Sequence, residues 1–263
     1  MPQQGFSFAS VVLSYFLVGG GIFSAMLVMA LAGINGEIPG YLMMAGGAFV
    51  GGFISARASR GSTIVEPAIG AIAVIATIVG LAAGTALGQF LWRVAPGETA
   101  KFVALLGGLA GGGAIGGAFV SEKMFGEASL SSGPWIIYTA FATFGACLLA
   151  TVFGSVILAS SSTAETASSD KIGTALLIGI AGGCFVAGIA VGASARSRPL
   201  AAAFLGSALG TAGFAYMISH AAVGGAGSSE AAAVIGVFAA GGGIATLIGT
   251  AIGWAAIGKK QAG

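Results

Sequence analysis

Charge is what this sequence has least of. Only 18 of its 263 residues are formally charged, 10 Lys+Arg and 8 Asp+Glu. A soluble domain is about one quarter charged, so an ordinary water-soluble globule is excluded. Disordered chains are rich in charge and poor in apolar residues, which excludes disorder as well. Proline is scarce, with 6 residues, and glycine follows no Gly-X-Y period, so a collagen is excluded too. A single histidine, His220, and a single aspartate, Asp170, cannot assemble a clustered His/Asp metal site. The two cysteines, Cys147 and Cys184, lie inside apolar stretches, where thiols behave as small hydrophobes rather than a disulfide framework. No Gly-x-x-x-x-Gly-Lys-Ser/Thr phosphate loop occurs. No cofactor, no metal and no nucleic-acid partner are expected.

What the chain does contain is apolar surface and glycine: 57% hydrophobic residues and 48 glycines. Charges punctuate eight charge-free stretches of 19 or more residues: 1–36, 38–56, 67–92, 102–121, 128–164, 172–195, 199–229 and 231–258. A helix needs about 20 mainly apolar residues to cross a hydrocarbon core of about 30 Å. Trimming the polar ends predicts crossings near 8–33, 40–56, 68–92, 102–120, 135–160, 174–195, 200–223 and 231–257. The second is short and is expected to tilt little or thin the bilayer. Strands of a membrane barrel alternate apolar with polar, and these runs do not. The expected fold is an all-α integral membrane protein of about eight transmembrane helices.

Loop charges predict the orientation. With the amino terminus cytoplasmic, the inside segments hold Arg57, Arg60, Lys123, Arg196, Arg198, Lys259 and Lys260, against Arg93, Lys101 and Lys171 outside. Cytoplasmic loops carry the Lys/Arg excess, so both termini are expected in the cytoplasm, with the bacterial inner membrane as the expected location. Met-Pro-Gln-Gln-Gly at the start lacks the basic region of a cleavable signal.

The halves echo each other. Gly46-Gly47-Ala48-Phe49-Val50-Gly51-Gly52 matches Gly182-Gly183-Cys184-Phe185-Val186-Ala187-Gly188, and each helix then ends in a basic turn. Ala110-Gly111-Gly112-Gly113 likewise matches Ala240-Gly241-Gly242-Gly243. These matches predict two parallel four-helix repeats, 1–127 and 128–263, related by an axis along the membrane normal. Residues 121–134 are the expected linker.

Between helices in lipid, apolar faces gain nothing from meeting, so association depends on small residues and close packing. Gly80, Gly84 and Gly88 recur at strict four-residue spacing, as do Gly108, Gly112 and Gly116, with Gly107/Gly111 and Gly113/Gly117 beside them. Gly179/Gly183, Gly188/Gly192, Gly206/Gly210 and Gly249/Gly253 continue the pattern. These glycines are expected at helix–helix contacts, and the glycine-lined fourth crossing is expected to be central. The alternative is that they face lipid.

Few polar candidates remain. No charged residue falls at mid-depth of a predicted crossing, which argues against proton-coupled pumps and charged-substrate carriers. Gly192-Ala193-Ser194-Ala195 with His220 is similar to the Ser/His pair of rhomboid-type intramembrane proteases. The topology separates the two by about 30 Å, when proton transfer needs about 3 Å. Arg57, Arg60, Arg196 and Arg198 serve topogenesis; the sharper reading is an anionic headgroup or partner site with Glu66 as counter-charge. Glu66-Pro67 suits a helix start. Trp92, Trp135 and Trp254 read as interfacial anchors, and Gln89 as the most buried strong polar group.

The run Gly51-Gly52-Phe53-Ile54-Ser55-Ala56-Arg57 followed by Thr63-Ile64-Val65-Glu66-Pro67-Ala68 resembles uncharacterised small four-helix bacterial membrane proteins. The second half repeats it without the Glu-Pro. That resemblance implies a membrane fold and no activity. Two functions fit: a non-enzymatic scaffold or assembly subunit whose partners are the lipid bilayer and other membrane subunits or further copies, or a channel or transporter for a small neutral or weakly polar solute. A polar cavity between the halves favours transport; a solid glycine-packed centre with an exposed glycine face favours the scaffold.

Overall fold

A computed structural model describes residues 6–59, 64–125, 132–160, 169–195, 199–223 and 229–258. Among them the structure is helical throughout: α1 (Phe8–Leu31), α2 (Glu37–Ala58), α3 (Val65–Gly84), α4 (Ala86–Val94), α5 (Pro96–Phe125), α6 (Ser132–Ser160), α7 (Ser169–Ser194), α8 (Leu200–Val223) and α9 (Ser229–Gly253), the last closing in a π-turn at Trp254–Gly258. Seven of these helices are long and apolar enough to cross a membrane. The chain is a multi-pass, all-α membrane protein.

Local chemistry sets the helix ends. Ser7 caps α1, its hydroxyl accepting from the Ser10 N–H. Gly33, at φ +66°, turns the chain out of α1, because a left-handed backbone there is cheap only for glycine. Glu37 and Pro39 open α2, which at 22 residues is longer than the crossing expected over 40–56. Glu66 and Pro67 open α3, and Pro96 opens α5.

The third crossing is not one continuous helix. Thr85 is extended (φ −102°, ψ 152°), and separates α3 from the nine-residue α4. Its N–H closes α3 on the Leu81 carbonyl while its own carbonyl accepts from the Gln89 N–H, so Thr85 itself keeps both of its backbone bonds at the break. Gln89 is exposed on α4 rather than buried. The expected linker is partly helical, since α5 runs to Phe125 and α6 starts at Ser132.

In the first half α1 packs on α2, α2 on α5, α5 on α3 and α3 back on α1. In the second half α6 packs on α7, α7 on α9, α9 on α8 and α8 back on α6. Each half is therefore a ring of four long helices in which the second meets the fourth and the first meets the third, α3 being shorter than the seven that can cross a membrane. The rings join mainly through α1 against α6, and α1 also meets α7. The central helix is thus α1, not the glycine-lined α5, which sits at the edge against α2 and α3. Burial agrees: Leu13, Val18 and Ile22 of α1 are almost fully enclosed.

Candidate functional site

The seam between the halves is built from backbone. An ideal Cβ placed on Gly20 would lie 2.6 Å from the Gly145 Cα, and one on Gly145 would lie 2.9 Å from the Gly20 Cα. The contact is reciprocal one turn back: the Phe16 carbonyl oxygen faces Gly145, and the Phe141 carbonyl oxygen faces Gly20. Phe23 and Phe153 meet edge to face farther along, their ring centroids 6.1 Å apart. The two helices run parallel at van der Waals distance.

Within each half the same device recurs. Gly52 faces the Ala114 carbonyl, Gly113 the Ala45 carbonyl and Gly117 the Phe49 carbonyl across α2 and α5. Gly188 faces the Thr246 carbonyl, Gly192 that of Thr250, Gly249 that of Phe185 and Gly253 that of Ile189 across α7 and α9. Gly21 and Gly47 face each other across α1 and α2, and Gly206 and Gly210 meet Ile136 and Ala140 of α6. Any side chain at these positions would strike backbone.

Several of the glycines expected to pack by strict spacing lie elsewhere. Gly80, Gly84, Gly108 and Gly112 have nothing within 4 Å of a Cβ, so they make no close contact inside the chain. Gly116 only brushes the Phe49 ring at 3.7 Å. Gly179 lies 3.9 Å from the Ala150 methyl and Gly183 3.3 Å from the Ala146 carbonyl oxygen. The side-chain surroundings of Gly88 lie outside the described residues. On α5 the contact runs along Gly113 and Gly117, one residue away from the predicted line. One residue turns a helix by about 100°, enough to move a glycine from the partner helix to the outside.

Hydroxyls stitch the glycine contacts together. Ser14 and Ser55 hydrogen-bond across α1 and α2. The Ser207 hydroxyl stands 2.9 Å from the Gly242 carbonyl oxygen and 2.7 Å from the Thr246 hydroxyl; donating its one proton to Thr246, it leaves Thr246 free to donate onward to the Cys184 carbonyl at 3.2 Å. That chain of bonds joins α8, α9 and α7. Cys147 and Cys184 bring their sulfurs to 3.8 Å, both buried and both free.

Arg57 and Glu66 stand at the end of the bundle where α1 begins and α2 finishes. Glu66 is fully buried and accepts from the Ser7 N–H at 2.7 Å and from the Ser59 hydroxyl. It ties the starts of α1 and α3 to the end of α2. The Arg57 guanidinium lies over the Phe125 ring, 4.9 Å from its centroid, a cation–π contact. Trp135 is wholly buried against Tyr138 and the inter-half core, so it is not an interfacial anchor. Arg60, Arg196 and Arg198 lie outside the described residues. Ser194 ends α7 and is buried, while His220 falls 220 − 200 = 20 residues into α8, about 30 Å away along the axis at 1.5 Å per residue. No group of three or more His, Cys, Asp or Glu placed to hold a metal occurs among the described residues.

The sequence showed several of the contacting pairs, Gly113/Gly117, Gly188/Gly192, Gly206/Gly210 and Gly249/Gly253, by their spacing. Gly20 and Gly145 it did not show, because neither belongs to a conspicuous spaced set. Comparison with protein-family models, with characterised proteins and with solved structures finds no match to this chain.

Proposed function

We propose that this chain is a non-enzymatic membrane scaffold, an assembly subunit that receives the helices of partner subunits or of further copies. One observation carries the reading: backbone contact closes the seam at Gly20 and Gly145, while Gly80, Gly84, Gly108 and Gly112 stand uncovered on the outside. Interior glycines cost a helix about 1 kcal/mol each relative to alanine, and in lipid close helix approach is what offsets that cost. Inside the chain other glycines fill that role, and the uncovered ones are left for contacts outside it. A solute path along the seam would have to part helices whose backbones touch.

We further propose that 1–127 and 128–263 are two copies related by rotation about the membrane normal, with both termini in the cytoplasm and the protein in a bacterial inner membrane. The two rings have the same order of packing, and the Gly20–Gly145 contact lies where an axis between them would pass. Gly52 against Ala114 corresponds to Gly188 against Thr246, and Phe49 against Gly117 to Phe185 against Gly249. These pairs support the match of Gly46–Gly52 with Gly182–Gly188. On this register Ala110 corresponds to Gly242 rather than Ala240, a shift of two residues from the sequence match.

The test of the scaffold is assembly in native membranes. Cross-linking followed by mass spectrometry of the wild-type chain should capture a defined membrane partner or a second copy. Gly108→Leu with Gly112→Leu should lose it while the purified chain keeps its unfolding midpoint. Saturable entry of a small polyol into vesicles holding the purified chain, above that of protein-free vesicles, would instead establish the transporter.

A further inference from the structure

Both cysteines of this chain meet in one place. Cys147 on α6 and Cys184 on α7 stand near the middle of their membrane spans and bring their sulfurs to 3.8 Å. Both are wholly enclosed, and neither is in a disulfide. Leu148, Ile180 and Phe214 complete the buried cluster, and Met217 packs against it, adding a polarisable thioether to the wall. No charged residue belongs to this cluster.

The seam that holds the thiols is looser than its neighbours. Glycines of α7 meet the backbone of α9, and glycines of α8 that of α6, with no room for a Cβ. Between α6 and α7, a Cβ on Gly183 would stand 3.3 Å from the Ala146 carbonyl oxygen, and one on Gly179 would stand 3.9 Å from the Ala150 methyl. Touching backbone therefore does not fix the spacing of α6 and α7 there.

The number and type of donors select the ligand. At a metal–sulfur distance of about 2.3 Å, one ion bridges sulfurs 3.8 Å apart at an angle of about 110°. A straight sulfur–metal–sulfur line needs them to part by only about 4.6 − 3.8 = 0.8 Å. Calcium and magnesium ions demand a shell of oxygens, and a structural zinc ion demands a tetrahedral set of ligands. The cluster offers two thiols and an apolar wall instead. Thiolate and thioether sulfur select Cu(I), an ion that is stable with two ligands. The ion displaces one thiol proton, which leaves to water. A monovalent ion on one thiolate and one thiol carries no net charge, so no isolated charge is buried.

We infer that Cys147 and Cys184 form a two-sulfur site for one soft monovalent metal ion of the Cu(I) class, clamping α6 to α7 in mid-membrane. The site stands on the cysteine pair and is independent of the scaffold reading.

The purified full-length chain, reduced and free of oxygen in mild detergent, is titrated with Cu(I) supplied as its bicinchoninate complex. The wild type should withdraw one Cu(I) per chain. Its SDS unfolding midpoint should then rise, because an ion bound only by the folded state stabilises that state. X-ray absorption at the copper edge should show sulfur neighbours only. Cys147→Ala and Cys184→Ala should each weaken uptake by more than the about 10–100-fold lost with a residue that merely orients a ligand. Met124→Leu, at the exposed end of α5, should bind as the wild type does. A wild type that takes no Cu(I), equal uptake by the wild type and either cysteine variant, or nitrogen and oxygen neighbours at the metal overturns the proposal. Loss of uptake in Met124→Leu overturns it too, since the metal would then lie on surface methionine.

Discussion

Replacing Gly20 by alanine puts a methyl carbon 2.6 Å from the Gly145 Cα and 3.3 Å from the Gly145 nitrogen. Both obstacles are backbone, so no rotamer change relieves them. Ordinary contact begins at 3.4 Å, and α1 must therefore back away from α6 by about 3.4 − 2.6 = 0.8 Å. A gap of about 0.5–1 Å already forfeits between a quarter and a half of each dispersion contact. The loss extends along the seam to Gly19 against Leu149 and Phe23 against Phe153. Overpacking a fitted core typically costs about 1–3 kcal/mol, and the better helix propensity of alanine returns about 1 kcal/mol of it. Gly20→Ala should thus be destabilised by up to about 2 kcal/mol, and should fall about 1–3 kcal/mol below an alanine placed where there is no clash. Gly112→Ala, with nothing within 4 Å, keeps only the propensity gain and should be neutral or slightly more stable. Unfolding of the purified chain by SDS titration in mixed micelles, followed by tryptophan fluorescence, compares the two. Trp135, buried in the inter-half core, is the reporter. Equal midpoints for Gly20→Ala and Gly112→Ala would show that the seam does not close through Gly20.

Further outcomes follow from individual contacts. Glu66→Ala strips the Ser7 N–H and the Ser59 hydroxyl of an acceptor in a buried site and should cost about 1–3 kcal/mol; a melting temperature unchanged from wild type refutes the anchoring role. In a double-mutant cycle, Ser14→Ala and Ser55→Ala should be coupled by about 0.6 kcal/mol, the usual size between membrane helices, and strict additivity would exclude the bond. Diamide treatment should join Cys147 to Cys184 within one chain, visible as faster migration that Cys147→Ser abolishes, because the sulfurs stand 3.8 Å apart. A cysteine introduced at Glu165, in a chain lacking Cys147 and Cys184, should be labelled from outside the cell; labelling only from the cytoplasmic side rejects the orientation.

Class and helix ends were legible in the sequence because they depend on composition and on local backbone chemistry. A chain with so few charges satisfies its backbone in lipid only by forming helices. Glu66-Pro67 marks a helix start wherever it occurs, whatever the tertiary context. The break at Thr85 escaped notice because no proline or glycine pair sits at that residue, and α4 remains apolar enough to read as more of the same helix.

Which glycine touches which helix was decided by the tertiary structure alone. Spacing shows that Gly108 and Gly112 share one line and that Gly113 and Gly117 share another, about 100° round the helix. It does not show where α2 lies, and α2 lies against the second line. Gly20 and Gly145 stand far apart in sequence and belong to no regular series, so only the docking of one ring on the other brings them together in the seam. Trp135 shows the same division. Its place near a helix start suggested the membrane interface, but the neighbouring half covers that surface, and an amphipathic ring at a helix start is buried once a second bundle packs over it.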